Sequence, residues 1–239
     1  MTPLSPARVI NPFNVVRDFE AALCEYTDAP FAVTTTSCTA ALTLAVAYHF
    51  AKRHQQDLDE GKGMMTLMPP IEIPKRTYVS VPMAIIHAGG RPTFRDEEWV
   101  GSYQLKPLPV WDSARWMTSG MYNHGMMWPT DEAPAHHHGM VCVSFHWSKT
   151  LGIQQGGAIL HDNPEADKWL RQARFDGRIE GVSPRYQAEA YGFKVLGWHC
   201  YMSPEVAAQG LVRLGLLPKH NAPLKNDDYP DLSQIGLFK

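Results

Sequence analysis

The sequence predicts an α/β protein with a mainly parallel sheet covered by helices on both faces. Short apolar runs of strand length alternate with segments of helical period along the chain. Several of those runs end on polar residues, as Leu108-Pro-Val-Trp-Asp112 does. In folds of this class ligands sit at the carboxyl ends of the strands. With 239 residues, 44% of them hydrophobic and 19% charged, the chain is long enough for one large domain or two small ones.

Residues 1–12 read as an irregular arm interrupted by Pro3, Pro6 and Pro12. Asn14 is placed to cap a helix over 15–26, where Val16, Phe19, Leu23 and Tyr26 recur at three- and four-residue steps. Phe31-Ala-Val-Thr-Thr is a strand. It leads into Thr36-Ser-Cys-Thr-Ala-Ala-Leu, a helix signal capped by Thr36 or Ser37. Hydroxyl residues at a helix start, beside free N–H groups and the positive dipole end, suit a phosphate, although plain capping needs only one of them. Residues 52–66 are polar and read as a helix end and exposed loop.

From Glu72 the chain reads strand, turn and helix, closed by Gly89-Gly90, and 91–96 is the next strand. The strand ending at Asp112 follows. The stretch from Trp116 to Gly139 holds four methionines and the run His136-His-His138. Three consecutive histidines cannot all face one ion in regular structure, so a solvated loop is expected and no metal. A helix from Pro164 to about Phe175, a loop over 176–186, and a helix capped by Ser203 with Pro204 in its first turn complete the pattern. The segment from Pro218 onward, rich in proline and aspartate, reads as extended.

Composition narrows the function classes. A net charge of −2 gives no general footprint for nucleic acid. Cys24, Cys38, Cys142 and Cys200 form no CxxC pair or metal-ligand spacing, and with eleven methionines they suggest a reducing, cytoplasmic setting. A signal peptide is not expected, since the first residues contain no apolar core, and no apolar run has the length to cross a bilayer.

The segment richest in chemistry is Val141-Cys-Val-Ser-Phe-His-Trp-Ser-Lys-Thr-Leu-Gly-Ile-Gln-Gln-Gly-Gly-Ala-Ile-Leu160, an apolar run, a polar turn with one lysine, and a second apolar run. By itself it leaves two readings open for Lys149. One is an exposed hairpin tip. The other is a desolvated lysine whose amine is freed as a Schiff-base nucleophile.

Six segments taken in order resemble the DegT/DnrJ/StrS family of pyridoxal-phosphate (PLP) enzymes, the sugar aminotransferases of fold type I. They are Thr36-Ser-Cys-Thr-Ala-Ala-Leu, Thr77-Tyr-Val-Ser, His87-Ala-Gly-Gly-Arg-Pro-Thr-Phe-Arg-Asp, Trp111-Asp-Ser-Ala, Ser144-Phe-His-Trp-Ser-Lys with Gly156-Gly157, and Gly197-Trp-His-Cys-Tyr-Met-Ser. The resemblance implies a three-layer α/β/α large domain over 1–217, with a mostly parallel seven-stranded sheet, followed by an extended tail over 218–239. It also implies a compact form, because relatives continue into a small C-terminal domain.

Carried onto matching residues, the resemblance makes Lys149 the Schiff-base lysine and Asp112 the carboxylate paired with the cofactor's pyridine nitrogen. Tyr78 would stack on the ring. Ser37, Cys38 and Thr39 at the helix start, with Ser144, would hold the 5′-phosphate. Arg115 stands where family members usually carry glutamine, glutamate or histidine against the cofactor; a cation there would alter the ring or bind a substrate carboxylate. His199 and Tyr201 replace the asparagine and arginine of a motif that reaches the neighbouring subunit's phosphate.

The resemblance therefore implies a PLP aminotransferase acting on an amino-acid donor and a sugar-nucleotide keto acceptor, as a homodimer with shared sites. Two alternatives stand beside it. One is a PLP decarboxylase acting on an amino-acid group carried by a large substrate, such as a hypermodified base in phage DNA, the only reading that involves nucleic acid. The other is a catalytically dead binding relative, against which Lys149, Asp112 and Tyr78 together argue.

Overall fold

Residues on opposite faces of the central strands pack into two separate cores. A computed structural model describes residues 11–62, 68–122 and 139–238. The histidine run and most of the N-terminal arm lie outside these described residues. Among the described residues seven strands form, β1 (Phe31–Thr35), β2 (Ile71–Pro74), β3 (Pro92–Arg95), β4 (Tyr103–Gln104), β5 (Val110–Asp112), β6 (Met140–Ser144) and β7 (Gly157–His161). The helices are α1 (Asn14–Thr27), α2 (Cys38–Asp59), α3 (Ser80–His87), α4 (Pro164–Ala173), α5 (Pro184–Ala190) and α6 (Pro204–Leu216).

Period-two alternation builds the layers. Val33, Val110, Cys142 and Ile159 face one core with residues of α2, α3 and α4. Ala32, Trp111, Val141, Val143, Ala158 and Leu160 face the other, with α1 and α6. The two helices of that second layer meet closely at Gly210, where a Cβ would fall 2.4 Å from the Phe19 ring. A three-layer arrangement results.

The mostly parallel sheet expected from the sequence is not what forms. The strands divide into a mixed five-stranded sheet, in the order β1-β7-β6-β5-β4, and a parallel β2-β3 pair. Within the larger sheet only β5 and β6 are parallel; β1-β7, β6-β7 and β4-β5 are antiparallel. The physical reason lies in the connections. A parallel crossover needs a dozen or more residues, usually including a helix. The link from β4 to β5 is only 105–109, and 145–156 joins β6 to β7 as a hairpin without a helix. The β2-β3 pair is tied on by an antiparallel bridge between Glu72 and Lys106. Arg95 reinforces that junction by donating to the carbonyls of Glu72 and Gln104.

Several local expectations also shift. Asn14 lies inside α1 rather than capping it; Asn11 accepts instead, from the Phe13 N–H at 3.0 Å. The helix from Cys38 continues to Asp59, well into the stretch read as loop. A short helix, α5, occupies part of the segment read as irregular after Asp176, and its cap is Ser183. Ser203 caps α6 as expected, with Pro204 in the first turn. Residues 218–231 are extended and end in 3-10 turns at Leu232–Gln234 and Gly236–Phe238. Among the described residues no helix is long and apolar enough to cross a membrane.

Candidate active site

These pairings bring the carboxyl ends of β1, β2, β5 and β6, and the start of β7, to one edge of the sheet. A cavity of about 370 Å³ opens there. Ser37, Cys38, Thr39, Tyr78, Asp112, Arg115, Ser144 and Lys149 all line it. His199 does not line it; its Nδ1 lies 2.9 Å from Asp176 on an exposed surface, and its ring packs edge-on against Tyr201.

One wall is the start of α2. Ser37 caps it by accepting from the Ala40 N–H at 3.1 Å, which leaves the earlier helix N–H groups without intrahelical acceptors. Thr39 and Ser80 share a 2.7 Å hydroxyl–hydroxyl hydrogen bond that ties this turn to the start of α3. The glycine pair after the hairpin is required here. A Cβ on Gly157 would fall 2.5 Å from the Cys38 backbone nitrogen, and Gly156 sits at φ +127°. Only glycine lets β7 pass this close to the helix terminus.

At the opposite wall, Asp112 ends β5 and is 5% exposed. Its Oδ1 accepts from the Ala114 N–H at 2.9 Å and its Oδ2 from the Tyr103 hydroxyl at 2.8 Å. The Tyr103 oxygen in turn lies 2.6 Å from the Thr77 hydroxyl, which donates to it because the tyrosine proton is committed to Asp112. Burial pushes the Asp112 carboxyl up, while these two donors pull it back toward the charged form.

Between the walls lies Lys149. The tip of the β6-β7 hairpin is exposed, with Trp147 72% exposed, yet Lys149 itself turns inward and is half-buried. Loss of water lowers its proton affinity, and the nearby Arg115 guanidinium lowers it further. Asp227 and Asp112 act in the opposite direction. The tip of this hairpin meets solvent, while its lysine faces the cavity.

Sequence reasoning missed Thr77, Tyr103, Trp99, Ser148, Asp227 and Tyr229. Tyr103 belongs to a two-residue strand, too short for any periodic signal. Asp227 and Tyr229 come from the tail, which folds back across the cavity mouth. Nothing in the tail's composition marks a site.

The profile of the DegT/DnrJ/EryC1/StrS aminotransferase family matches residues 5–110 and 133–225. The chain belongs to that family. Solved structures of similar fold include a DegT DnrJ EryC1 StrS aminotransferase from Brucella abortus, at 18% identity and TM-score 0.56, covering 89% of this chain and 59% of that one. NtdA from Bacillus subtilis with bound cofactor PMP matches at 18% identity and TM-score 0.56, covering 84% of this chain and 47% of NtdA. DesI in the presence of its TDP-sugar product matches at 21% identity and TM-score 0.56, covering 84% of this chain and 53% of DesI. The chain thus spans about half the length of these DegT-type structures. No curated protein matches it in sequence.

Proposed function

We propose that the protein is a PLP-dependent aminotransferase that moves an amino group from an amino acid to a keto group of a sugar-nucleotide-like acceptor. The observation that carries this reading is one cavity holding Lys149, the buried Asp112 and the hydroxyl-lined start of α2. The donor set fits the cofactor end to end. It supplies an anion cradle, an amine for a carbonyl, and a carboxylate for a ring nitrogen. Family membership and the DegT-type structural neighbours support the same choice.

When bound, PLP supplies an electron sink for bonds at the amine-bearing carbon. The chain's residues do the rest. Ser37, Cys38, Thr39 and Ser144 would hold the phosphate, with the α2 dipole favouring the anion. Asp112, whose charged form Tyr103 and Ala114 favour against burial, would hold a proton on the ring nitrogen. Tyr78, at the cavity wall, would cover the cofactor ring. Lys149 has its proton affinity lowered by burial, so more of its amine is free to attack a carbonyl and to move protons. A second copy of the chain completes the site, with His199 reaching across. The exposed Trp147, Phe193 and Leu196 are apolar surface for such a contact.

Two measurements test the reading. Purified protein should acquire the visible absorbance of bound PLP and lose it in Lys149→Ala; a protein indifferent to PLP sinks the proposal. Product analysis then separates transfer from decarboxylation. A keto acid retaining its carboxyl carbon supports transfer, whereas carbon dioxide without an aminated acceptor rejects it.

A further inference from the structure

The tail is fastened along its length to the cavity mouth. The Ser119 N–H donates to the Lys219 carbonyl at 2.8 Å, and the Leu224 N–H to the Arg115 carbonyl at 2.8 Å. Asn226 donates to the Trp99 carbonyl at 2.6 Å, and the Leu232 N–H to the Lys75 carbonyl at 2.8 Å. Between these anchors the Asp227 carboxylate sits 2.7 Å from a terminal nitrogen of Arg115. The Tyr229 hydroxyl also donates to Asp227, at 3.2 Å.

The guanidinium is only partly used. Arg115 is 8% exposed, yet its Nε is buried with no hydrogen-bond partner. Asp227 engages one terminal nitrogen and is largely solvent-facing, its side chain 64% exposed. A carboxylate seated on a guanidinium normally takes two parallel N–H bonds. Asp227 is thus a poorly seated carboxylate on a buried cation, in a cavity shared with the Lys149 amine. An amino acid presents an amine and a carboxylate one carbon apart, which matches a lysine-centred reaction site with an arginine in the same wall.

We propose that Arg115 anchors the carboxylate of the amino-acid donor, and that Asp227 is an internal placeholder that the donor displaces, releasing the 219–231 strap. This rests on reading the cavity as the substrate site. Asp227 is largely exposed and regains water when it leaves, while the buried guanidinium keeps a counter-charge because the incoming carboxylate takes its place. The incoming carboxylate gains the unpartnered Nε edge. The strap then opens when donor binds, because both carboxylates need the same cation.

The experiment titrates L-glutamate into wild type, Asp227→Asn and Arg115→Gln, each with and without PLP, and follows tryptic cleavage after Lys225 and the emission of Trp99. Trp99 reports on the strap because its ring stacks at 13° on Tyr229, with centroids 6.3 Å apart. A Trp99→Phe control isolates its signal. In wild type, glutamate should speed cleavage and change emission. Asp227→Asn should bind glutamate about tenfold more tightly, because the competing closed state is removed. Arg115→Gln should bind about tenfold more weakly or worse, because the guanidinium fork is lost.

Equal affinity in wild type and Asp227→Asn, or undiminished binding in Arg115→Gln, overturns the proposal. Displacement by inorganic phosphate as readily as by glutamate also overturns it, showing an anion site without carboxylate preference. Asp227 is exposed, so Asp227→Asn is expected to fold, and it tests the strap even if Arg115→Gln does not fold. A wild-type protein that binds glutamate at Arg115 but no PLP overturns the cofactor reading while upholding the strap.

Discussion

The Tyr103 hydroxyl donates to Asp112 at 2.8 Å inside the core, from a strand only two residues long. Asp112 is thereby held by a neighbouring strand as well as by its own. The Thr77 hydroxyl extends the relay one step at 2.6 Å. Tyr103→Phe removes a bond to a buried carboxylate and strands the Thr77 donor. Hydrogen bonds to charged groups contribute about 1.5–3 kcal/mol, so urea unfolding should show a loss of that order. The Asp112 carboxyl, already raised by burial, should rise further and PLP should bind more weakly. Unchanged stability and cofactor affinity would remove Tyr103 from this role.

Lys149 should react as an amine at lower pH than a free lysine side chain. Burial is the larger cause and the Arg115 guanidinium the next; both disfavour the ammonium form. A lowered affinity means that the proton leaves earlier as pH rises. Reductive methylation of the cofactor-free protein, read peptide by peptide, should therefore reach half its extent at Lys149 below the pH seen for the unfolded chain. Arg115→Gln should move that midpoint back up. A midpoint insensitive to Arg115 would separate the two cations.

How much of this was legible beforehand depends on the range of the signal. Phe31–Thr35, the start of α2, the Ser203 cap and the Lys149 hairpin each announce themselves within a few residues. The cavity's main groups are legible for the same reason, because each stands at the end of a strand or the start of a helix. The direction of β4 is set by a five-residue link and the placement of Asp227 by tail contacts more than a hundred residues away in sequence, such as Arg115. Neither leaves a periodic trace. Alternating strands and helices suit a parallel sheet, and it is the short 105–109 link and the β6-β7 hairpin that turn strands the other way. The 105–109 link is too short for a crossover, and 145–156 carries no helix to make one.

Gly157→Ala should disturb the cavity at its anion end. The added Cβ would meet the Cys38 nitrogen at 2.5 Å, and backbone cannot swing aside as a side-chain tip can. Either β7 or the start of α2 must shift. Overpacking of this kind costs about 1–3 kcal/mol, readable as a lower Tm. PLP affinity should fall by more than the stability loss explains, because the displaced atoms are the cradle itself. A variant with normal Tm and normal cofactor affinity would show that the close approach is not needed.

The charge cluster between α1 and the end of α4 predicts an acid-sensitive fold. Glu20 on α1 is 4% exposed and paired with Arg174 and Arg171 of the α4 region, and it accepts from the Thr34 N–H at 2.9 Å and the Thr34 hydroxyl at 2.8 Å. Burial alone would raise its carboxyl, but the two guanidinium groups and the hydrogen bonds outweigh burial and hold it down at about 2, against an ordinary 4.5. A carboxyl depressed in the folded state contributes stability that is fully present above its unfolded value. That stability disappears as pH falls through the folded value. The window is therefore pH 4.5 down to about 2, and the shift corresponds to on the order of 3 kcal/mol. Urea unfolding across that range should show wild-type stability falling steeply. Glu20→Gln should start lower by about 3–5 kcal/mol at neutral pH, since Arg174 is left buried without its counter-charge. It should then lose much less on acidification. If both proteins lose stability in parallel below pH 4.5, the acid sensitivity belongs to other carboxylates.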